Sequence, residues 1–282
     1  MPDSSPTPDL AALRAAAAIV HRGIAPTPLY AWPRLARRCG CEVQVKHENH
    51  TPTGAFKVRG GLVYFERLKQ REPRVRLVVT ATRGNHGQSV AYAAARAGLA
   101  ARIFVPLGNS PDQNAAMRAF GAEVVEGGRD FDEAKHAAMR AAAEGGAHFV
   151  PSFHPDLVEG VASYALELFD KQPALDAVYV GVGMGSGLCG LIAARDALGL
   201  ATEIIGVGAE RANAQAQSFA ARRVVNADSA RTFADGIATR EPNADAVATM
   251  CRGAARFASV SEDAIAEAVR AYFDDTHQVA EG

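Results

Sequence analysis

One lysine stands in a run of small and aromatic residues that suits covalent chemistry. Lys57 lies in the segment Thr53–Gly61, whose sequence is TGAFKVRGG. Gly54 and Ala55 leave room for a planar ring, and Phe56 can supply an apolar wall beside it. Burial would make the lysine lose its proton more readily, which favours attack on an aldehyde cofactor and later proton transfer. A lone lysine near a helix start is more often a solvated charge, so this interpretation depends on the rest of the chain.

A second polar segment follows a predicted strand and begins a predicted helix. It is Thr80–Gln88, with the sequence TATRGNHGQ. Backbone N–H groups at such a junction can gather around a carboxylate, and Asn85 can hydrogen-bond a cofactor ring oxygen. The alternative is an ordinary turn capped by Thr82 or Asn85, with His86 packed as a neutral side chain.

A third segment, Gly181–Gly187, is rich in glycine and also joins a predicted strand to a helix. Glycine permits close backbone approach, and a helix N-terminus attracts phosphate. Gly185–Gly190 also satisfies the dinucleotide pattern G-x-G-x-x-G, and Glu210 follows twenty residues later, so a nicotinamide-dependent enzyme is an alternative. That alternative leaves Lys57 and Thr80–Gln88 unexplained. A pyridoxal-phosphate enzyme uses all three segments.

Composition and charge favour a globular protein whose partners are small molecules. The 282 residues are 48% hydrophobic and 22% charged, with a formal net charge of -1. No basic cluster suggests a surface for nucleic acid or an anionic membrane. Cys39, Cys41, Cys189 and Cys251 are irregularly spaced, which favours reduced thiols over a disulfide framework or a zinc site. Because Met1–Leu10 is polar and unlike a signal sequence, we expect a cytoplasmic protein.

The order of elements predicts an α/β fold with two open parallel sheets. Short β-branched runs alternate with alanine-rich stretches from Arg74 onward, which is typical of βαβ units. The first series is predicted to hold strands over 77–81, 101–105, 123–126 and 148–150, with helices beginning at residues 88, 111 and 131. The second is predicted to hold helices over 155–169 and 187–198 and strands over 177–181 and 203–207.

The remaining N-terminal segment decides the domain division. Its extended run, Glu42–Lys46, is expected to join one of the two sheets, and a right-handed crossover allows the later one. We therefore predict a large discontinuous domain, residues 1–68 and 153–282, and a small domain, residues 69–152.

The three segments, in this order and spacing, resemble the fold-type II pyridoxal-phosphate enzymes, specifically the threonine/serine dehydratase and serine racemase group. The similarity extends from Thr27–Leu29 through Thr232–Gly236 to Val279–Gly282. It implies a tryptophan-synthase β-like fold in which a small domain closes on a large cofactor-binding domain. It also implies pyridoxal 5'-phosphate as the cofactor and a homodimer built on the large domain.

The resemblance assigns roles to individual residues. Lys57 is expected to be the catalytic Schiff-base lysine, with Phe56 beside the cofactor ring and Asn85 on the ring hydroxyl. The cofactor phosphate is expected at Gly183, Met184, Gly185, Ser186 and Gly187. The substrate is expected to contact Thr82, Arg83, Gly84 and His86, with Asp235 and Gly236 at the border of its pocket.

Departures from the family pattern refine these expectations. Racemases of the group carry a serine immediately before Gly-Asn-His, where this chain has Arg83. The departure favours elimination over racemisation. The arginine can instead bind a substrate carboxylate. Together with residues 49–52 and 151–155, Arg83 resembles the pattern of dehydratases that act in hydroxyectoine utilisation. This resemblance suggests a 3-hydroxyaspartate-like substrate. Metal-activated members carry an aspartate six residues after the position of Glu210, where this chain has Ala216, so no metal site is expected. Family members continue beyond the position of Gly282 through a helix and a final strand, so we expect a C-terminally truncated fold.

These observations predict a pyridoxal-phosphate-dependent ammonia-lyase. It would remove water from threonine, serine or 3-hydroxyaspartate and give a 2-oxo acid and ammonia. A racemase of the same fold and a non-catalytic ligand-binding remnant are the alternatives that remain open.

Overall fold

The protein is described here from a computed structural model that covers residues 8–282, so residues 1–7 of the predicted large domain lie outside the description. The N-terminal part supplies three helices and a short antiparallel sheet: α1 (Leu10–His21), β1 (Leu29–Ala31), α2 (Pro33–Cys39), β2 (Gln44–Lys46) and α3 (Lys57–Arg71). In the described chain β2 pairs only with β1, so the prediction that Glu42–Lys46 joins a parallel sheet is wrong. Pairing with the nearby β1 closes a much shorter loop than pairing with a distant strand, and the entropic cost of closure grows with loop length.

The middle of the chain forms a four-stranded parallel sheet, as predicted for the first series. Its strands stand in the order β5-β4-β3-β6, with helices between them: β3 (Leu77–Ala81), α4 (Asn85–Ala97), β4 (Ala100–Val105), α5 (Pro111–Ala119), β5 (Glu123–Glu126), α6 (Phe131–Gly145) and β6 (His148–Phe149). Val78 packs with α4 residues on one face, and Val79 packs with α6 residues on the other. Burial on both faces explains the continuous apolar run of β3.

The last part of the chain forms a separate parallel sheet in the order β7-β8-β9. Its elements are α7 (Pro155–Lys171), β7 (Ala177–Gly181), α8 (Ser186–Ala197), β8 (Glu203–Ala209), α9 (Ala214–Ala221), α10 (Ala244–Gly253), β9 (Arg256–Val260) and α11 (Glu262–Thr276). Two parallel sheets among helices confirm the predicted α/β class. Strand β9 was not predicted, because Arg256 and Ser259 interrupt its apolar run.

Glycines let three helices approach closely where α3 begins. A Cβ added at Gly60 would lie 2.7 Å from the Leu157 carbonyl oxygen, and one at Gly160 would lie 2.5 Å from the Arg59 carbonyl oxygen. On the other side, a Cβ at Gly61 would lie 2.4 Å from the hydroxyl of Ser89 in α4. The first turn of α3 is therefore held between α7 and α4, which fixes the lysine that begins it.

Candidate active site

Lys57 is the first residue of α3 and enters the cleft between the two parallel sheets. The chain reaches it through Gly54, whose φ of +68° is in the left-handed region that favours glycine. Burial lowers the pKa of the Lys57 amine to about 8, and the negative charge of Glu281 opposes part of that shift. The amine has no hydrogen bond or ion pair within residues 8–282, and its Nζ lies 5.2 Å from the centre of the Phe56 ring. It is thus available to react with a ligand.

The cleft has an empty volume of about 710 Å³, including its open mouth. Both halves of the molecule line it. The first sheet and its helices contribute Ala81, Thr82, Arg83, Gly84, Asn85, His86, Gln113, Phe131, Asp132 and Ser152. The later part contributes Met184, Asp235, Gly236, Ala238, Thr239, Arg240, Glu241 and Glu281, while Lys57 lies between the two sets.

The turn before α4 presents backbone donors to this cleft. The Thr82 hydroxyl oxygen accepts hydrogen bonds from the N–H groups of Gly84 at 3.0 Å and Gly87 at 3.2 Å. This capping explains why α4 begins at Asn85 and not at the predicted Gln88. In the part of the chain that the structure describes, the N–H groups of Arg83, Asn85 and His86 donate to no backbone carbonyl. They are the donors that a carboxylate could use.

His86 is buried next to these donors. Desolvation lowers the pKa of its imidazole to about 3, and the positive charge of Lys57 adds to that effect. Its Nε2 has no hydrogen-bond partner among the described residues. The imidazole is therefore neutral at physiological pH and available as a polar contact.

Ion pairs of the described residues join the two sides of the cleft, and two of them are close contacts. Arg83 Nε lies 2.9 Å from an Asp235 carboxylate oxygen, although the angle is not that of a hydrogen bond. The Arg240 Nε donates to Asp132 at 2.8 Å. Each pair joins a residue of the first sheet's half to one of the later half, so both stabilise a closed cleft.

The glycine loop between β7 and α8 can hold a phosphate. Gly185 has a φ of +100°, and a Cβ added at Gly183 would lie 2.4 Å from the Gly236 carbonyl oxygen. The N–H groups of Gly183, Met184, Gly185, Ser186 and Gly187 donate to no backbone acceptor in residues 8–282. Five free donors at the N-terminus of a twelve-residue helix make an anion site.

The loop is contiguous with the lysine. A Cβ at Gly187 would lie 3.1 Å from Phe56 Cζ, so Phe56 connects Lys57 to the loop. Of the loop residues, Met184 lines the cleft itself. The structure thus brings together all the predicted site residues around one cleft and its adjoining loop, while the role of each remains a prediction.

Sequence reasoning missed several residues of this site. Gln215 is buried, and its Nε2 donates to the Gly183 carbonyl at 2.6 Å, which holds the loop. Asp132, Arg240 and Glu281 reach the cleft from distant parts of the chain. No local pattern marks these residues, because only the tertiary fold brings them together.

These features fit pyridoxal phosphate. Lys57 supplies an amine that no described residue pairs with, the glycine loop supplies N–H donors for a phosphate, and Asn85 lines the same cleft as Lys57. An amine, a phosphate cradle and an amide around one cleft define the class of pyridoxal-phosphate enzymes.

The sequence profile described as pyridoxal-phosphate dependent enzyme matches residues 20–282, and the chain belongs to this family. It is 33% identical over 263 residues to the biosynthetic L-threonine dehydratase IlvA of Escherichia coli, covering 93% of this chain and 51% of that protein. It is 32% identical to the L-threo-3-hydroxyaspartate ammonia-lyase of Saccharomyces cerevisiae, covering 76% of this chain and 66% of that protein.

The fold also matches solved structures. A pyridoxal 5'-phosphate-dependent aspartate racemase superposes with a TM-score of 0.91 at 28% identity, covering 97% of this chain and 85% of that one. The chain spans about half the length of the E. coli dehydratase. Similarity to both lyases and a racemase confirms the predicted family and fold type, and pyridoxal phosphate is the cofactor of that family.

Proposed function

We propose that this protein removes water from a 3-hydroxy amino acid and releases a 2-oxo acid and ammonium. The observation that carries the proposal is the unpaired Lys57 amine, held in one cleft with a carboxylate-binding turn and a phosphate-binding loop. The E. coli and yeast relatives, a dehydratase and an ammonia-lyase by name, support it.

The chain's own residues account for binding and proton transfer. The free N–H groups of Arg83, Asn85 and His86 bind the substrate carboxylate, and the neutral His86 places no second positive charge beside Lys57. Bound pyridoxal phosphate supplies an aldehyde and a ring that withdraws electrons from the α-carbon. The Lys57 Nζ, with its lowered pKa, takes the α-proton, and that proton passes to the departing β-hydroxyl, which leaves as water. Hydrolysis of the remaining enamine by a second water gives the 2-oxo acid and ammonium. Closure of the cleft limits competing reactions with solvent.

Arg83 favours a substrate with a second carboxylate. Its guanidinium, about one-third exposed, pairs with Asp235 without a well-formed hydrogen bond. A β-carboxylate can replace Asp235 as its partner, as in 3-hydroxyaspartate. In that case Arg83→Ser should lower kcat/KM for 3-hydroxyaspartate by about tenfold or more, because a charge-assisted hydrogen bond contributes about 1.5–3 kcal/mol. The kcat/KM for serine, which has no β-carboxylate, should stay nearly unchanged. An equal loss for both substrates would contradict this substrate assignment.

The test of the reaction is ammonia and 2-oxo acid release by the pyridoxal-phosphate-loaded protein with threonine, serine and 3-hydroxyaspartate. Lys57→Ala should abolish release, whereas Lys69→Ala, an exposed lysine at the far end of α3, should not. A fully active Lys57→Ala variant would exclude the mechanism. Interconversion of substrate isomers without ammonia release would instead identify a racemase, the activity of the structurally similar aspartate racemase.

We also propose the predicted division into a large and a small domain, and a cytoplasmic homodimer built on the large one. The division is supported by the two separate parallel sheets and by the cleft, which residues from both parts of the chain line. Sedimentation equilibrium of the purified protein tests the dimer, and a monomer at all concentrations would exclude it.

A further inference from the structure

One hydrogen bond joins the turn before α4 to the C-terminal segment across the cleft. Asn85 Nδ2 donates to the Glu281 carboxylate, although the two residues are 196 positions apart. Glu281 lines the same cleft as Lys57, and its Oε1 lies 3.5 Å from where a Cβ would stand on Gly236. No role in the site was predicted for this glutamate from the sequence.

Residues on both sides of Glu281 make contacts, although Glu281 itself is exposed. Helix α11 ends at Thr276, and the next residue, His277, adopts the left-handed conformation with a φ of 55° and turns the chain. The Gln278 side-chain oxygen then accepts a hydrogen bond of 2.8 Å from His50 Nε2, and the Gln278 backbone N–H donates to Thr276 Oγ1 at 3.1 Å. Gly282 packs against the ring of Phe233, so closely that a Cβ there would lie 2.5 Å from it. The exposed glutamate therefore lies in a short segment between two residues that contact the rest of the protein.

We propose that Glu281 is a positioning residue that orients the Asn85 amide toward the cofactor. A primary amide has two N–H donors at one end and a carbonyl at the other. Because Glu281 accepts one N–H, the nitrogen end of Asn85 must face the cleft, and its second N–H remains for the cofactor ring oxygen. Without Glu281, the amide could rotate and present its carbonyl, which repels that oxygen.

The charge of Glu281 has a second effect in the same place. It raises the pKa of Lys57 against the larger lowering by burial. A variant that keeps an acceptor but removes the charge therefore separates the two effects. Glu281→Gln retains an oxygen for Asn85, whereas Glu281→Ala retains neither the oxygen nor the charge.

The test is the affinity of the full chain for pyridoxal phosphate and the visible absorption spectrum of the bound cofactor. Both depend on family membership and on the ring contact predicted for Asn85, but not on the proposed substrate. Glu281→Ala should weaken affinity by about tenfold, which corresponds to about 1.4 kcal/mol, and should change the ratio of the cofactor's absorption bands. Glu281→Gln should restore most of the affinity and the band ratio. Glu267→Ala, which removes an exposed charge from α11, should behave as the parent.

A double-mutant cycle shows whether Glu281 acts through Asn85. In the Asn85→Ala background, Glu281→Ala should cause little further loss of cofactor affinity, because the interaction is already absent. Fully additive losses would overturn the proposal, as would a Glu281→Ala protein with the parent's affinity and spectrum. Thermal unfolding of the cofactor-free variants shows that they are folded, so a loss of binding is not a loss of structure.

Discussion

At the residue scale, the cleft combines two basic side chains whose surroundings favour their neutral forms. Burial lowers the pKa of Lys57 to about 8 and that of His86 to about 3. The sequence indicated Lys57 through its small neighbours, and it placed His86 beside the substrate. It could not show that the two groups lie close enough to influence each other's charge, because the strands and helices between them decide how they are placed.

The shifted pKa of Lys57 predicts a pH-dependent stability of the cofactor-free protein. The amine's pKa is about 8 in the folded chain, against 10.5 as its ordinary value. Between those pH values the unfolded chain binds more protons, so stability should rise with pH over this interval. The slope from this one group is at most about 1.4 kcal/mol per pH unit. In Lys57→Met, the free energy of unfolding should therefore rise less steeply with pH, with a slope smaller by up to this value.

Denaturant unfolding of the parent and Lys57→Met between pH 7.5 and 10.5 measures the difference. Lys69→Met, at an exposed position of the same helix, is the control and should follow the parent. If the free energy of unfolding changed with pH in the same way for the parent and Lys57→Met, the Lys57 amine would not be desolvated.

At the element scale, the strand-to-helix junctions were the most predictable features. Predicted strands at 77–81, 123–126 and 177–181 agree with β3, β5 and β7. The signal was clearest for β3, because a buried parallel strand carries a continuous apolar run. The pairing of β2 was wrong and β9 was missed, since short strands with polar residues carry little periodic signal. The glycine loop was located correctly, but its support by Gln215 requires the packed α9.

Gly183→Ala should disturb this loop through a backbone collision. The new Cβ would lie 2.4 Å from the carbonyl oxygen of Gly236, which is a backbone atom on the same side of the cleft and cannot rotate away as a side chain would. Overpacking of this kind costs about 1–3 kcal/mol, and we expect cofactor affinity to fall by about tenfold or more.

Gly145→Ala is the matched control. It lies at the end of α6, and a Cβ there meets nothing within 4 Å. Pyridoxal-phosphate titration and thermal unfolding of both variants provide the comparison. Unchanged affinity in Gly183→Ala would show that the loop does not bind the phosphate.

At the scale of the whole molecule, a buried ionic network joins the N-terminal segment to the helices behind the site. Arg59, two positions after Lys57, is fully buried and bonds Glu48 at 2.7 Å and Glu167 at 2.6 Å. Glu167 also bonds Lys46 and His21. Burial alone would raise the pKa of Glu167, but its contacts with Arg59, Lys46 and His21 favour the charged form and lower the pKa to about 2. Residues so far apart in the sequence carry no pattern that predicts such a network.

Arg59→Met should destabilise the protein by about 3–5 kcal/mol, because it leaves Glu48 and Glu167 with reduced compensation in the interior. Arg102→Met removes an arginine that pairs with Glu123 at the surface, and it should cost less than about 1 kcal/mol. Denaturant unfolding at neutral pH measures both. Equal, small effects would mean that the network contributes little to holding the N-terminal segment on the core.

The most direct test of the account is to incubate the protein with pyridoxal phosphate, reduce it with borohydride and map the labelled peptide. The account predicts the label on Lys57, the unpaired amine of the cleft, with a visible absorption change on binding. A label on Lys46, Lys69, Lys135 or Lys171 instead, or no label at all, would contradict the assignment of this cleft as the cofactor site.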